Sequence, residues 1–376
     1  MLPILLQESD LKSAEPDDGT ALCLSGGGYR AMLFHLGALW RLNELGYLPR
    51  LDRLSSVSGG SIAAAVLACS WERLKFDSQG IASNFESIVS GPICGLASRT
   101  IDVPSVLQGL FWIGSLSEHV AAAYRRHLFG NRTLQDLPDR PRFIFNATNM
   151  QSKVLWRFSK PYMGDYRVGR VLSPKLQVAT AVAASSAFPP FLSPAILKLD
   201  PEMFAPDSGE LRYPPFTSRV MLTDGGVYDN LGLETAWKRC RTILVSDGGS
   251  DAAAKPKLSA NWISQSVRVL ELVDSQVGSL RKRQVVESFR DKIRSGAYWG
   301  IRSDILNYKV PGALVCVHAE TLKIAAIPTR LSAISQERQK RIIDWGYAIC
   351  DAAMRAHVFP AAPAPARSPH GVFRNS

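Results

Sequence analysis

The sequence is poor in the features that mark disulfide-built, metal-dependent or membrane-spanning proteins. Its six cysteines, Cys23, Cys69, Cys94, Cys240, Cys316 and Cys350, include no near neighbours, so no C-x-x-C redox or metal pair exists. Scattered thiols of this kind suit a reducing compartment and burial as small hydrophobes. No segment reaches the roughly 18 uninterrupted apolar residues that a spanning helix needs. The apolar stretch Leu2 to Leu6 is broken by Pro3 and lacks a basic lead-in, which falls short of a signal peptide. The chain therefore reads as cytoplasmic, with membrane contact only from its surface. It has no internal repeat, which excludes a fibrous array.

What is present is the composition of an ordinary globular protein. The 376 residues are 46% apolar and 20% charged, and the mean hydropathy is −0.01. This length buries a sizeable core as one large domain or two modest ones. Lysine and arginine exceed aspartate and glutamate by 44 − 33 = 11. That excess draws anionic partners, without choosing between nucleic acid and an anionic lipid surface.

After a polar lead of residues 1–19, Ala21 to Leu24 forms a short apolar run entering Ser25-Gly26-Gly27-Gly28. Ala31, Leu33, Phe34, Leu36, Leu39, Leu42 and Leu45 then recur at helical spacing until Gly46. Leu54 to Val57, Ser58-Gly59-Gly60 and the run Ile62 to Trp71 repeat the same strand, turn, helix order, which predicts a parallel sheet in an α/β fold. Further strands are predicted at 142–147, 154–158, 220–223, 242–246 and 314–318, and residues 76–139 read as mainly helical. Past Lys257, Ile263, Val267, Leu270, Val273, Val277 and Leu280 describe a long amphipathic helix with a basic end at Arg281, Lys282, Arg283, Arg290, Lys292 and Arg294. Its charged face is either solvated or turned to anionic lipid. The apolar segment 106–113 reads as core, a lid or a membrane-touching surface. A last helix spans about 335–357, and the Pro/Ala-rich residues 358–376 read as a disordered tail.

Two glycine turns carry the chemistry. In Ser56-Val57-Ser58-Gly59-Gly60 a serine sits on a sharp turn between strand and helix, which exposes its hydroxyl beside free N–H groups at a helix N-terminus. A helix-capping serine would look the same in isolation. Gly26, Gly27 and Gly28 supply a second set of bare backbone donors, suited to an oxyanion. They also match a dinucleotide fingerprint, Gly26-x-Gly28-x-x-Ala31, but Asp52 precedes the next strand where that reading needs an acid at its end. A base for Ser58 is not offered by the six histidines, none of which lies in a glycine-rich turn, and His35 on the first helix reads as structural. Asp224-Gly225-Gly226 and Asp247-Gly248-Gly249 each follow a strand, so either aspartate qualifies as the partner.

Four blocks together resemble the patatin-like phospholipase family. Ser25-Gly26-Gly27-Gly28-Tyr29-Arg30 is similar to its oxyanion loop and Ser56-Val57-Ser58-Gly59-Gly60 to its G-x-S-x-G elbow. The segment 184–191, Ala-Ser-Ser-Ala-Phe-Pro-Pro-Phe, is similar to a block that precedes the catalytic aspartate. Asp224-Gly225-Gly226-Val227-Tyr228-Asp229-Asn230 resembles the D-G-[GA] motif with its downstream asparagine. One departure is Ser56 in place of the elbow's first glycine, for which slight strain is expected.

The resemblance implies a three-layer α/β/α fold with a mostly parallel central sheet and a helical C-terminal extension. It implies a catalytic core at 20–250, followed by a basic, largely helical part at 251–357 packed on that core. The implied activity is hydrolysis of acyl esters in phospholipids or lysophospholipids by a Ser–Asp dyad without metal or other cofactor. Ser58 is the implied nucleophile and Asp224 its base. Gly26, Gly27 and Gly28 form the oxyanion hole with Arg30 supporting the loop, and Ser56, Gly59, Gly60, Gly225 and Gly226 support the motifs. Peripheral contact with an anionic membrane fits this picture, and no specific nucleic-acid partner is expected. The competing readings are a catalytically silent binding or signalling module on the same fold, and an acyltransferase using the same dyad.

Overall fold

The computed structural model describes residues 16–101, 116–190, 192–206, 209–249, 254, 256–258 and 261–375. The segment 106–113, Phe191 and the boundary placed at 250/251 fall outside them. The strands are β1 (Asp17–Leu24), β2 (Arg53–Val57), β3 (Arg142–Asn149), β4 (Val154–Phe158), β5 (Tyr162–Asp165), β6 (Gly169–Leu172), β7 (Ala195–Lys198), β8 (Arg219–Asp224), β9 (Cys240–Asp247) and β10 (Ser295–Gly300). The helices are α1 (Gly28–Glu44), α2 (Gly59–Ser70), α3 (Gly91–Ala97), α4 (Leu116–Tyr124), α5 (Val178–Ser185), α6 (Gly226–Asp229), α7 (Leu233–Trp237), α8 (Trp262–Arg290), α9 (His318–Ala325) and α10 (Gln336–His357).

The strands form one sheet in the order β10-β9-β1-β2-β3-β4-β5-β6, with β8 also on β3 and β7 on β8. From β10 to β3 every pairing is parallel, and the strands beyond are antiparallel. The apolar run Ala21 to Leu24 reads as continuous because both faces of β1 are covered. Leu22 and Leu24 point into the main core with Leu33 and Ile342. Ala21 and Cys23 pack on the other face with Leu233, Ala236 and Val285 of α7 and α8. This alternation makes the architecture a mostly parallel central sheet between two helical layers.

Helix α10 is interior, with residues 342–355 all buried. It crosses α1 at backbone contact: a Cβ on Gly37 would lie 1.9 Å from the Ile343 carbonyl oxygen, and one on Gly346 would lie 2.0 Å from that of Phe34. Beside this crossing Asp351, fully buried, pairs with Arg41 at 2.7 Å and with Arg355 at 2.8 Å. One apolar cluster runs from Leu22 to Phe373, so β9, β10 and α10 share the core of the N-terminal half.

Two expectations are corrected. Residues 358–375 are not a disordered tail: buried Ser368 donates to Asp344 Oδ2 at 2.6 Å, and the His370 ring lies 2.8 Å from Asp344 Oδ1. A buried carboxylate on α10 supplies the acceptors that hold a segment whose prolines form neither helix nor strand. Residues 314–318 are not a strand, although Leu314 and Cys316 are buried and Val315 and Val317 exposed as alternation predicts. Their backbone lies outside the sheet: Val315 N–H donates to the Arg374 carbonyl of the tail, and the Val317 carbonyl accepts from Glu320 and Thr321 at the start of α9. In α8, Leu270, Val273 and Leu280 of the amphipathic pattern face outward.

Removing the shared carboxylate would leave the buried Arg355 guanidinium without that anion and Arg41 with Glu44, 3.1 Å away, as its carboxylate partner. Asp351→Ala is therefore expected to cost about 3 kcal/mol of stability, read as a lowered midpoint in urea unfolding.

Candidate active site

Ser58 stands between β2 and α2 with φ 50° and ψ −119°, a backbone conformation that L-residues rarely adopt. Two glycines force the turn to be this tight. A Cβ on Gly59 would lie 2.1 Å from the Gly28 carbonyl oxygen, and one on Gly60 would lie 2.5 Å from that of Leu24. Helix α2 thus starts directly against the β1–α1 loop, and Ser58 keeps 8% of its surface exposed. Its N–H donates to Ser185 Oγ at 3.1 Å, and Ser185 in turn donates to the Asn146 carbonyl at 2.6 Å. Ser61 Oγ lies 2.8 Å from Ser185 Oγ and 3.0 Å from Ser56 Oγ. Ser56 also donates to the Ile144 carbonyl at 3.2 Å. The strain expected at Ser56 is absent, because that residue is part of β2 and its hydroxyl is satisfied; the unusual backbone is at Ser58.

Strand β3 brings the aspartate to the serine. Along one edge it pairs first with β2, Val57 opposite Asn146, and then with β8, Asp224 opposite Ala147. The two strands therefore meet end to end on adjacent β3 residues. A Cβ on Gly225 would lie 2.4 Å from the Asn146 carbonyl oxygen, so this junction requires a residue without a side chain.

Asp224 is 3% exposed. Its Oδ1 accepts the Gly226 N–H at 2.7 Å, whereas Oδ2 closes no hydrogen bond among the described residues. Burial pushes its pKa up to about 7, against the Gly226 N–H and the facing Ser58 hydroxyl, which lower it, and with Asp274 of α8 adding to the rise. Ser58 thus influences the carboxylate across a gap without an aligned hydrogen bond. A carboxyl group poised this way takes and returns a proton near neutrality.

Gly27 and Gly28, at φ 140° and 61°, turn the chain into α1. Among the described residues no acceptor takes the N–H of Gly27, Gly28 or Gly59, which gather where the N-termini of α1 and α2 abut. Gly26 departs from the expected donor set: its N–H donates to the Asn230 carbonyl at 3.0 Å. Gly26 instead provides closeness, since its Cβ would fall 3.3 Å from Ser58 Cβ and 2.3 Å from Asn230 Oδ1. Asn230 also crowds Gly226, and so joins the glycine loop to the Asp224 turn.

Arg30 is buried beneath the loop, donating to the Gly248 carbonyl at 3.0 Å and to the carbonyls of Ala325 and Ile327. Burial lowers its pKa to about 10 against the attraction of Asp247, and it is a support rather than a group open to substrate. Asp247, the other aspartate candidate, is fully engaged. Lys282 lies 3.0 Å from Oδ2, Tyr298 donates to Oδ2 at 2.7 Å and Gly249 N–H to Oδ1 at 2.9 Å. Burial raises its pKa, but Lys282 and Tyr298 outweigh that and hold it below the usual range. His35 is held between Ser246 Oγ and the Ser25 carbonyl, with burial pushing its pKa down to about 4. Asp52 accepts the Thr20 N–H and pairs with Arg140, which leaves the dinucleotide reading without its acid. Ser185, Ser61, Asn146 and Asp274 were missed from sequence as site residues; Ser185 alone had a signal, inside the block at 184–191.

No group of three His, Cys, Asp or Glu residues among the described residues is placed to hold a metal ion, and no described helix is long and apolar enough to cross a membrane. The family model for patatin-like phospholipase matches residues 22–237, more than half of the chain. No curated protein matches. Among solved structures, human GIVD cytosolic phospholipase A2 is similar in fold at 12% identity and TM-score 0.50, covering 93% of this chain and 63% of that one. The same human enzyme in complex with methyl gamma-linolenyl fluorophosphonate matches at 16% identity and TM-score 0.48, covering 93% and 60%. VipD from Legionella pneumophila matches at 14% identity and TM-score 0.36, covering 91% and 67%.

The raised pKa of Asp224 has a consequence for stability. Between its unfolded value of about 4 and its folded value of about 7 the folded state binds the extra proton, so rising pH costs stability, at roughly 1.4 kcal/mol per unit across that window. Asp224→Asn removes this loss. It is expected to raise the urea midpoint at pH 8 and to change it far less at pH 5.

Proposed function

The chain belongs to the patatin-like phospholipase family, and from that premise we propose that it hydrolyses acyl esters of phospholipids or lysophospholipids, with Ser58 as nucleophile and Asp224 as general base. The observation that carries this reading is the meeting of β2 and β8 on adjacent β3 residues, which sets an unpartnered Asp224 Oδ2 against the Ser58 hydroxyl.

Ser58 Oγ attacks the ester carbonyl as its proton passes to Asp224. The carbonyl π electrons move to oxygen, and the resulting oxyanion accepts hydrogen bonds from the unengaged N–H groups of Gly27, Gly28 and Gly59. Collapse breaks the bond to the leaving alcohol, which takes the proton from Asp224 and departs, leaving an acyl-serine. Water then adds to the acyl group while Asp224 takes its proton, and collapse returns that proton to Ser58 Oγ with release of the fatty acid. A carboxyl pKa near 7 serves both directions. Asn230 acts as a positioning residue by fixing the glycine loop against the Asp224 turn, and Arg30 by tying that loop to the Gly248, Ala325 and Ile327 carbonyls.

A fluorophosphonate probe is expected to label wild-type protein at Ser58, to lose labelling in Ser58→Ala and to lose most of it in Asp224→Asn. Asp247→Asn should keep labelling, since Asp247 is committed to Lys282 and Tyr298. A folded protein that resists the probe would favour the silent module. Mass spectrometry of lipid products, with and without an added alcohol, separates hydrolysis from acyl transfer.

The pH dependence follows from the same carboxyl group. With a soluble ester, kcat/KM should rise along a single-proton limb centred near 7 and level above it, because only the ionised base accepts the Ser58 proton. A flat profile through that range would remove Asp224 from the role.

A further inference from the structure

Helix α8 is amphipathic in the reverse sense for a helix packed on a protein body. Its inward face carries Glu271, Asp274, Gly278, Arg281 and Lys282, with Val285 the fully buried apolar residue. Arg281 pairs with Glu234 at 2.9 Å and Lys282 with Asp247 at 3.0 Å, which pins the C-terminal half of the helix to α7 and β9. The opposite face is apolar and open to solvent: Trp262 is 76% exposed, Val269 56%, Val273 52% and Leu280 58%. At 3.6 residues per turn these four positions fall within roughly 40° of one line along the helix. Contiguous apolar surface of this kind marks an interaction site.

We propose that this outward face of α8 docks on an anionic lipid bilayer, lying in the interface with its apolar stripe among the headgroups. The charge beside the stripe selects the partner. Arg283 is exposed on its flank and Lys292 at its C-terminal end, against one exposed acid on the face, Glu287, while Arg290 is paired with Asp291 at 3.1 Å, within a chain of net charge +11. Anionic headgroups supply the counter-charge that Arg283 and Lys292 lack, and the face lies beside the turn at which the lipid ester is cleaved. Helix α8 also packs against α6, the turn that follows Asp224, and Val227 there is 43% exposed. Docking thus brings the catalytic turn to about one helix diameter, ~10 Å, from the lipid surface. The proposal rests on the hydrolase reading only in that the substrate resides in this bilayer; binding itself needs no turnover.

The test is flotation of the full chain with phosphatidylcholine vesicles prepared with and without phosphatidylglycerol, alongside fluorophosphonate labelling in solution. Wild-type protein is expected to float with the anionic vesicles and to be released by salt. Val269→Glu/Leu280→Glu changes only exposed positions, and is expected to weaken vesicle binding roughly a hundredfold, the transfer value of two buried side chains, with labelling retained. Vesicle binding by the double variant equal to wild type would overturn the proposal. So would a wild-type dimer that the variant splits into monomers without loss of vesicle affinity. Wild-type protein that floats but resists the probe would keep the docking surface and sink the hydrolase reading instead.

Discussion

Strand β3 offers one edge to two partners that run in opposite directions, and the geometry of the site depends on that sharing. Because β2 ends opposite Asn146 and β8 ends opposite Ala147, each strand stops where the other begins. Neither can extend without expelling its neighbour. The two turns that follow must leave the sheet at the same place, and the glycines at 59, 60, 225 and 226 are what let both leave without collision. The Ser185 hydroxyl, bound to the Ser58 N–H and the Asn146 carbonyl, ties α5 into the junction as well.

The two Asp-Gly-Gly turns illustrate how little a local motif says about a carboxyl group's state. Asp224 and Asp247 both end a strand, and each accepts an N–H from the residue two positions on. What differs lies far away in sequence. Asp247 meets a cation from α8 and a phenol from β10, so it remains an anion that braces the Arg30 loop. Asp224 meets a hydroxyl and a second carboxylate, so its charge is costly. Burial alone would treat them alike; the partners decide which is held as an anion and which has its pKa pushed up.

Much of the centre of this fold was legible in the sequence, because β1, α1, β2 and α2 alternate apolar period and glycine turn without interruption. The edges were not. β5, β6 and β7 are short, and β10 reads Ser-Gly-Ala-Tyr-Trp-Gly, with little branched apolar content. Ser58, Asp224, the glycine loop and Arg30 stood out through motif spacing, whereas Ser185 and Asn146 act through contacts that no spacing encodes. Gly26 was misread as a donor because its sequence position says nothing of the Asn230 carbonyl that occupies its N–H. The tail and the 314–318 segment failed for a related reason. Composition reports what a segment can do alone, and both are held by acceptors or neighbours elsewhere.

The placement of β9 and α10 separates spatial order from chain order. β1 has β9 as its neighbour on one side, more than two hundred residues later, and α1 waits for α10 to cover it at the Gly37–Gly346 crossing. The first unit of the chain therefore leaves the ribosome with a bare strand edge and an uncovered helix, and neither can be completed from the segment matched by the family model. Burial of the sheet centre is complete only once α10 has crossed α1, so the contacts that cover it join residues far apart in the chain.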